Sequence, residues 1–435
     1  MRNYNKVGKN ILKLCNKLFP VNRSLTGNGV RHTLKELRKI NPKLNIFEVS
    51  SGKKIFDWKI PYEWNVEDAW IKDPYGSKIL DFKNNNLHLM GYSAPIKKKI
   101  NLFELKKKIF TNKKKPEAIP YVTSYYNKDW GFCMSYKKFK KLKSGKYDVF
   151  IDSNFKKNGN LTYGEILIPG KSKKEILLST YICHPSMANN ELSGPCLLIY
   201  LSNWIKSFKT KYTYRIIFIP ETIGSLIYLK KNFKYLKNKV IAGYVVTCVG
   251  DNRNYSYLET RNGNTISDKV AKRVLNSLKK KYSIYTWLSR GSDERNYCWP
   301  GFDLPIASIM RSKYGEYLEY HSSLDNMSIV SSKSFNDSFK LYQKVILTIE
   351  NDVYPITTSI GEPNLGKRGL YHLINKPNLN YSKSSDILNI LSYSDGKNSL
   401  FDIANKCKLS IYKLKKFIFI LKKKKLIIIS NEPRI

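Results

Sequence analysis

Four side chains of the kind that bind metal ions stand where apolar, strand-like runs break off: His184, Glu221, Asp251 and His321. His184 ends the run from Glu175 to Cys183, Glu221 follows Tyr214 to Ile219 after Pro220, Asp251 follows Ile241 to Val249 after Gly250, and His321 lies beyond Leu304 to Met310. The chain has 5 histidines in 435 residues, so two at such breaks, with carboxylates at two others, point to a hydrolytic metal site. Asn190 stands where such a site would want an aspartate between two metals. A carboxylate offers two anionic oxygens, an amide one neutral oxygen.

Taken singly, each residue has a plainer explanation. A histidine leaving a strand into Pro185 can cap its loop, and a carboxylate beside the Gly224 turn can serve a helix N-terminus. The combination carries the reading, together with the elements that must hold it. From Glu175 onward, buried strands alternate with helices, the pattern of a layered α/β domain. Ser193, Gly194 and Pro195 open a helix through Leu197 to Phe208, with serine as cap and proline in the first turn. In open α/β sheets the ligand site lies beyond the carboxyl ends of the strands, and all four candidates fall at or after such ends.

The rest of the chain divides by composition. Residues 1–45 read as two helices, Asn5 to Phe19 and Thr33 to Ile40, separated by Pro20 and a polar turn at Asn22 to Gly29. Residues 46–165 are rich in aromatic residues, in short runs broken by proline and glycine, and read as a mostly β module without a cluster of catalytic groups. Residues 166–358 carry the α/β domain. A polar segment, 359–377, reads as a linker, and 378–435 as three short helices (Asp386 to Tyr393, Leu400 to Cys407, Ile411 to Leu421) and a strand, the pattern of a winged helix.

The formal net charge is +43, from 77 Lys and Arg against 34 Asp and Glu. Such a balance attracts nucleic acid, anionic lipid or acidic substrates. The lysines, however, are spread along the chain, as in solvated faces written by an A/T-rich coding sequence. Lys413, Lys415, Lys416 and Lys422 to Lys425 are the group placed to meet phosphates; sequence-specific nucleic-acid binding is the less favoured role of the tail and protein contact the more favoured. Seven cysteines with no close CxxC pair imply reduced thiols in a cytoplasm. The first twenty residues form an amphipathic helix rather than a signal peptide, and no stretch approaches the ~20 apolar residues of a membrane span. No Gly-x-Ser-x-Gly elbow or phosphate loop is present.

In order and spacing, these motifs resemble the zinc aminopeptidase and carboxypeptidase superfamily with two co-catalytic metals. The matching pieces are His184, Asn190-Glu191-Leu192-Ser193-Gly194, Glu221-Thr222-Ile223-Gly224-Ser225, Asp251, Gly291-Ser292-Asp293-Glu294-Arg295, and His321 with Asp325. More narrowly, Asn22 to Gly27, Ile182 to Ser186, Gly291 to Arg295 and Leu365 to Tyr371 are similar to the aminopeptidase-like, domain-of-unknown-function proteins of bacterial polysaccharide gene clusters. The resemblance covers nearly the whole chain. It implies an aminopeptidase-like three-layer α/β fold with a mixed sheet, the inserted β module and a carboxyl-terminal winged helix.

It further implies one or two Zn²⁺ ions, His184 with Asp251 holding one and Glu221 with His321 the other, and Asn190 at the bridging place. Glu221 is the expected catalytic residue. Where the family has two successive glutamates, a base and a ligand, this chain has Glu221 and Thr222, so Glu221 fills one role and leaves the other empty, with Glu294 or Glu191 as the carboxylates to supply it. The expected function is hydrolysis of a peptide or related amide in surface polysaccharide biosynthesis. The alternative is a metal-binding or scaffold protein without turnover, working through its winged tail on a protein or nucleic acid.

Overall fold

The computed structural model describes residues 5–370 and 381–434. The expected linker at 371–377, the start of the tail at 378–380 and Tyr371 lie outside them. The chain forms two compact units, Met1–Val345 and Ile346–Ile435.

The first unit is built on an eight-stranded mixed sheet. In chain order its strands are β1 (Asn45–Ser50), β2 (Asn160–Ile168), β3 (Glu175–Tyr181), β4 (Thr213–Ile219), β5 (Val240–Val245), β6 (Ser256–Leu258), β7 (Ser283–Tyr285) and β8 (Ile306–Met310). They lie side by side as β1-β2-β4-β3-β5-β8-β6-β7. The central strands β4, β3, β5 and β8 are parallel, while β1 and β2 join at one edge antiparallel. Leu177, Leu178, Ile216, Ile217, Tyr244 and Val245 are wholly buried, which is why these strands read as unbroken apolar runs rather than alternating ones.

Helices cover both faces. The Ser179 hydroxyl meets that of Tyr297 at 2.9 Å, whereas its neighbour Thr180 faces Gly194 at the start of the helix Ser193–Lys206. Successive strand residues point to opposite faces, so those two partners sit on opposite layers. Gly194 is required by the contact: a Cβ there would lie 2.2 Å from the Val246 carbonyl oxygen. Just before it, Ala188–Leu192 forms one fully buried π-helical turn. Inside β4, Arg215 is charge-paired with Glu175 at 2.6 Å and Glu165 at 3.0 Å, so the one cation in that buried strand is neutralised.

Between β1 and β2 the chain builds a separate antiparallel sheet, in the order Lys78–Asp81, Glu63–Lys72, Lys146–Lys156, Ile96–Asn101. Its core of Trp64, Ile71, Tyr92, Phe132 and Val149 runs on to Cys183 and Ile223 of the main domain. A small hairpin, Lys54–Ile55 with Trp58–Lys59, precedes it. The loop at 119–123 returns to the main domain, where the Tyr121 N–H donates to the His321 carbonyl at 3.1 Å.

The second unit pairs Tyr354–Thr357 antiparallel with Ile427–Ser430 and packs the helices Tyr381–Ser392, Leu400–Lys406 and Ile411–Lys423 around Ile390, Ile403, Leu414 and Leu421. Ser399 and Asp402 form a reciprocal cap on the middle helix, and Ser410 caps the last. This is the expected winged helix. One helix start and one strand end differ from the sequence reading. The helix at the amino end starts at Asn28 rather than Thr33, because the Asn65 side chain accepts the Asn28 N–H at 2.7 Å and replaces a local cap. Strand β5 stops at Val245, four residues before the apolar run does.

Among the described residues no helix is long and apolar enough to cross a membrane, and the seven cysteines are free.

Candidate metal centre

His184, Glu221 and His321 converge beyond the carboxyl ends of β3, β4 and β8. The His184 ring lies 5.4 Å from that of His321, and its Nε2 is 3.7 Å from Glu221 Oε2. Tyr121 packs against both histidines at 5.2 Å, and Tyr320 stacks on His321 at 3.9 Å. The other edge of His184 is committed: Nδ1 donates to Glu191 Oε2 at 2.8 Å. That bond fixes the ring and leaves Nε2 as the nitrogen facing Glu221, the arrangement by which an outer carboxylate orients a metal-binding imidazole.

Glu191 comes from the π-helical turn and is wholly buried. Its charge is met by Arg23, whose Nε lies 3.8 Å from Oε1 and donates to the His184 carbonyl at 3.0 Å. Arg23 also holds the Leu18 carbonyl through Nη1 at 2.8 Å. Glu221 is held from the other side by the Ser292 hydroxyl, which donates to Oε1 at 2.7 Å. Asp293 next to it accepts the Thr222 N–H and the Ser225 hydroxyl, each at 2.8 Å, and so anchors the turn that carries Glu221.

Several of these residues are held in unusual backbone conformations. Thr222, His321, Ser186 and Cys248 have φ of 64°, 51°, 42° and 51°. A positive φ costs a β-branched residue such as Thr222 most, and strain of this kind persists where surrounding contacts over-determine it. Here those contacts are the Asp293 bond to the Thr222 N–H and the Arg295 guanidinium on the Thr222 hydroxyl.

Burial and neighbouring charge set the protonation of the centre. Burial opposes a charged His184, but Cys183 and Glu191 beside it outweigh that and hold its pKa well above the ordinary value. Burial, with His184 and Lys115 nearby, pushes His321 down to about 3, so its ring is neutral. Burial raises Glu221 above the usual carboxylate range, against the pull of His184 and Ser292. Burial and the proximity of Glu221 push Asp293 up to about 7.

Two of the sequence candidates are held by other partners in the structure. Asn190 is buried beside the centre, where its Oδ1 accepts the Tyr181 hydroxyl at 2.9 Å and its N–H goes to Asp325 at 2.9 Å; Tyr181 stands between it and His184. Asp251 is taken up by structure: it accepts from Asn189 Nδ2 at 2.8 Å, the Ser312 N–H at 3.1 Å and the Arg253 N–H at 2.8 Å. Because β5 ends early, the residue at its mouth is Thr247, whose hydroxyl meets Tyr181 Oη at 2.6 Å and the Asn190 carbonyl at 2.7 Å. Glu294 caps its own loop, accepting the Gly291 and Ser292 N–H groups at 2.9 Å.

The His184–Glu221 pair has the spacing of two ligands on a zinc ion. Zn–N and Zn–O bonds of about 2.0–2.2 Å place two ligands of a tetrahedral ion roughly 3.3–3.6 Å apart, and His184 Nε2 and Glu221 Oε2 are 3.7 Å apart. His321 adds a neutral imidazole. A tighter group of donors, Cys183, His184 and Glu191, lies within 4.8 Å. It is the weaker candidate, because it would use the His184 nitrogen already given to Glu191, and Cys183 Sγ already accepts the Glu221 N–H at 3.2 Å. Arg23, Tyr121 and Ser292 were not among the sequence candidates; Arg23 and Ser292 lie in motifs that carried the resemblance, while Tyr121 has no sequence signal.

Residues 12–352 match the family described as a domain of unknown function, DUF4910, and residues 352–428 match a winged helix-turn-helix. The chain is 44% identical over 416 residues to a Clostridium acetobutylicum protein named for polysaccharide biosynthesis and an aminopeptidase-like domain, covering 95% of each. A crystal structure from Clostridium acetobutylicum, named as a peptidase, superposes with a TM-score of 0.85 at 41% identity, over 99% of this chain and 98% of that one. A zinc aminopeptidase from Bacillus subtilis shares the fold at a TM-score of 0.58 and 13% identity, over 78% of this chain and 94% of that one. With an aminopeptidase-like domain, an inserted β module and a carboxyl-terminal winged helix, the chain belongs to the DUF4910 family.

Proposed function

We propose that this protein is a zinc-dependent, aminopeptidase-like hydrolase that cleaves a peptide or related amide bond on a substrate of surface polysaccharide biosynthesis. The observation that carries this reading is the approach of His184 Nε2 to Glu221 Oε2 at 3.7 Å beside His321, at the carboxyl ends of parallel strands. The relative named for polysaccharide biosynthesis supports the setting.

His184 through Nε2, His321 through its ring and Glu221 through Oε2 would hold one zinc ion. When bound, zinc polarises the scissile carbonyl and makes water a nucleophile near neutral pH. Asn190, turned to Tyr181, leaves a second ion without an anionic bridge. Glu191 keeps His184 in the tautomer that frees Nε2. Ser292 fixes the Glu221 carboxylate, which is 20% exposed while that of Glu191 is fully buried. Glu221 is therefore the carboxylate that water can reach.

The winged unit is read as a protein-contact module. Tyr412 and Phe419 stand exposed among the lysines of the helix Ile411–Lys423, and Lys413 is engaged with Asp386 at 2.8 Å. Exposed aromatic rings suit a protein surface better than a phosphate backbone does.

The test is zinc content and hydrolysis of aminoacyl anilides by protein purified without chelator, with His184→Ala beside wild type. About one zinc per chain, lost together with hydrolysis in His184→Ala, is the expected result. A wild-type protein that takes up no zinc when it is supplied overturns the reading.

A further inference from the structure

Next to Glu221 lies a cavity of about 960 Å³ that the metal centre does not use, with Thr222 and Arg295 in its wall. Small-ligand pockets span ~300–1,000 Å³. Its rim carries exposed aromatic side chains. Trp58, on the small hairpin, is 44% exposed, and Trp299 is 56% exposed. Exposed aromatic side chains gathered at one mouth mark a binding site more often than chance surface.

The wall is also cationic. Arg290 stacks on Trp287 at 4.9 Å and gives a hydrogen bond only to the Trp287 carbonyl, at 3.3 Å. Arg295 donates to the Thr222 hydroxyl. Among the described residues neither guanidinium makes an ion pair with a carboxylate. Arg295 already stands close enough to Glu221 and Asp293 to pull both carboxyl groups down, so Arg290 is the guanidinium left without a counter-charge in this half-buried wall, and it calls for an anion from outside. Two further groups suit hydroxyls: the Asp57 carboxylate, and Asn296, whose amide nitrogen goes to Ser225 at 2.8 Å and leaves its oxygen free to accept.

We propose that this cavity binds an anionic sugar, a pyranose carrying a carboxylate or a phosphate, and directs its amide-bearing end to Glu221. Trp58 and Trp299 offer flat faces to the ring, Asp57 and Asn296 accept from its hydroxyls, and Arg290 holds its charge. What is cleaved rests on the hydrolase reading above. What is bound does not.

The experiment is isothermal titration calorimetry of the full chain with glucuronate, glucose 6-phosphate, glucose and inorganic phosphate. Both charged sugars are expected to bind, and glucose about tenfold more weakly or worse, the scale of one charge-assisted hydrogen bond. Arg290→Ala should abolish the preference for charge, and Trp299→Ala should weaken every sugar about tenfold; both side chains stand at the surface, and circular dichroism checks that each variant folds. The stronger of glucuronate and glucose 6-phosphate identifies the anion. Equal binding of glucose and the charged sugars, no binding of any sugar, inorganic phosphate binding as tightly as glucose 6-phosphate, or indifference to both substitutions overturns the proposal. His184→Ala, repeated in this titration, should bind glucuronate as wild type does. Sugar binding without zinc or hydrolysis would then defeat the hydrolase reading alone, and zinc-dependent hydrolysis without sugar binding would defeat this proposal alone.

Discussion

Glu191 joins Arg23 to His184: one carboxylate oxygen accepts the Nδ1–H at 2.8 Å and the other lies 3.8 Å from the Arg23 Nε. All three side chains are buried, so the carboxylate has no water to replace a lost partner. Glu191→Gln keeps the shape and removes the charge. Zinc affinity should fall by roughly 10- to 100-fold, as for other outer partners of metal-binding histidines, with one ion still bound at saturating metal. Competition against a fluorescent chelator measures this, and an unchanged affinity would remove Glu191 from the centre.

Asn190→Asp places a carboxylate where the amide now accepts from Tyr181. Buried there without a cation, it should cost about 1–3 kcal/mol. A second zinc ion held by the new carboxylate, at 100-fold excess over its dissociation constant, should return up to about 2.7 kcal/mol beyond what the first ion gives. Thermal unfolding with chelator and with zinc should therefore show a larger zinc-dependent rise in Tm for the variant than for wild type. Equal rises would mean that position 190 does not face the metal.

The inserted module is fastened to the main domain by Glu63, which meets Arg31 at 3.0 Å and the Asn160 N–H at 2.9 Å. Burial alone would raise its pKa, but the Arg31 hydrogen bond and the Asn160 N–H win and lower it from 4.5 to about 2. A depressed carboxylate contributes stability above its unfolded pKa and loses it as pH falls, here between about 4.5 and 2. Glu63→Gln should cost about 2 kcal/mol at pH 7, the partly exposed Arg31 reducing the full linkage value, and progressively less towards pH 2. Urea denaturation of both proteins across that range is the check; a constant difference would assign the loss to packing.

Gly194→Ala should destabilise by about 2–4 kcal/mol, since its Cβ would press on the Val246 carbonyl and the Thr180 hydroxyl and push the helix Ser193–Lys206 from the sheet. Denaturant unfolding measures it. A cost below about 0.5 kcal/mol would show that the helix can shift freely.

The layered domain was legible because its central strands are buried on both faces and so write continuous apolar runs, and the winged tail because three short helical runs are followed by a strand. His184, Glu221 and His321 were legible as candidates because each lies at or after the end of a strand-like run. Asp251 was harder. The apolar run Ile241 to Val249 does not reveal that pairing stops at Val245, because Val246 to Val249 stay buried after the chain has left the sheet. Tyr121 could not be read at all. Its place depends on a loop of the inserted module pairing with residues 321–323, some two hundred residues away, and no local pattern records that pairing.

The π-helical turn at Ala188–Leu192 gives the carboxylate beside His184 a chain-length dependence. Such a turn holds one residue more than the α-helical turn it replaces. Removing one residue would let it relax to α-helical pitch and swing what precedes the helix by about 100°, carrying Glu191 off the imidazole while Ser193–Lys206 kept its seat on the sheet. Affinity for the ion and stability of the domain are thereby written in different variables, the first in loop length and the second in side-chain volume.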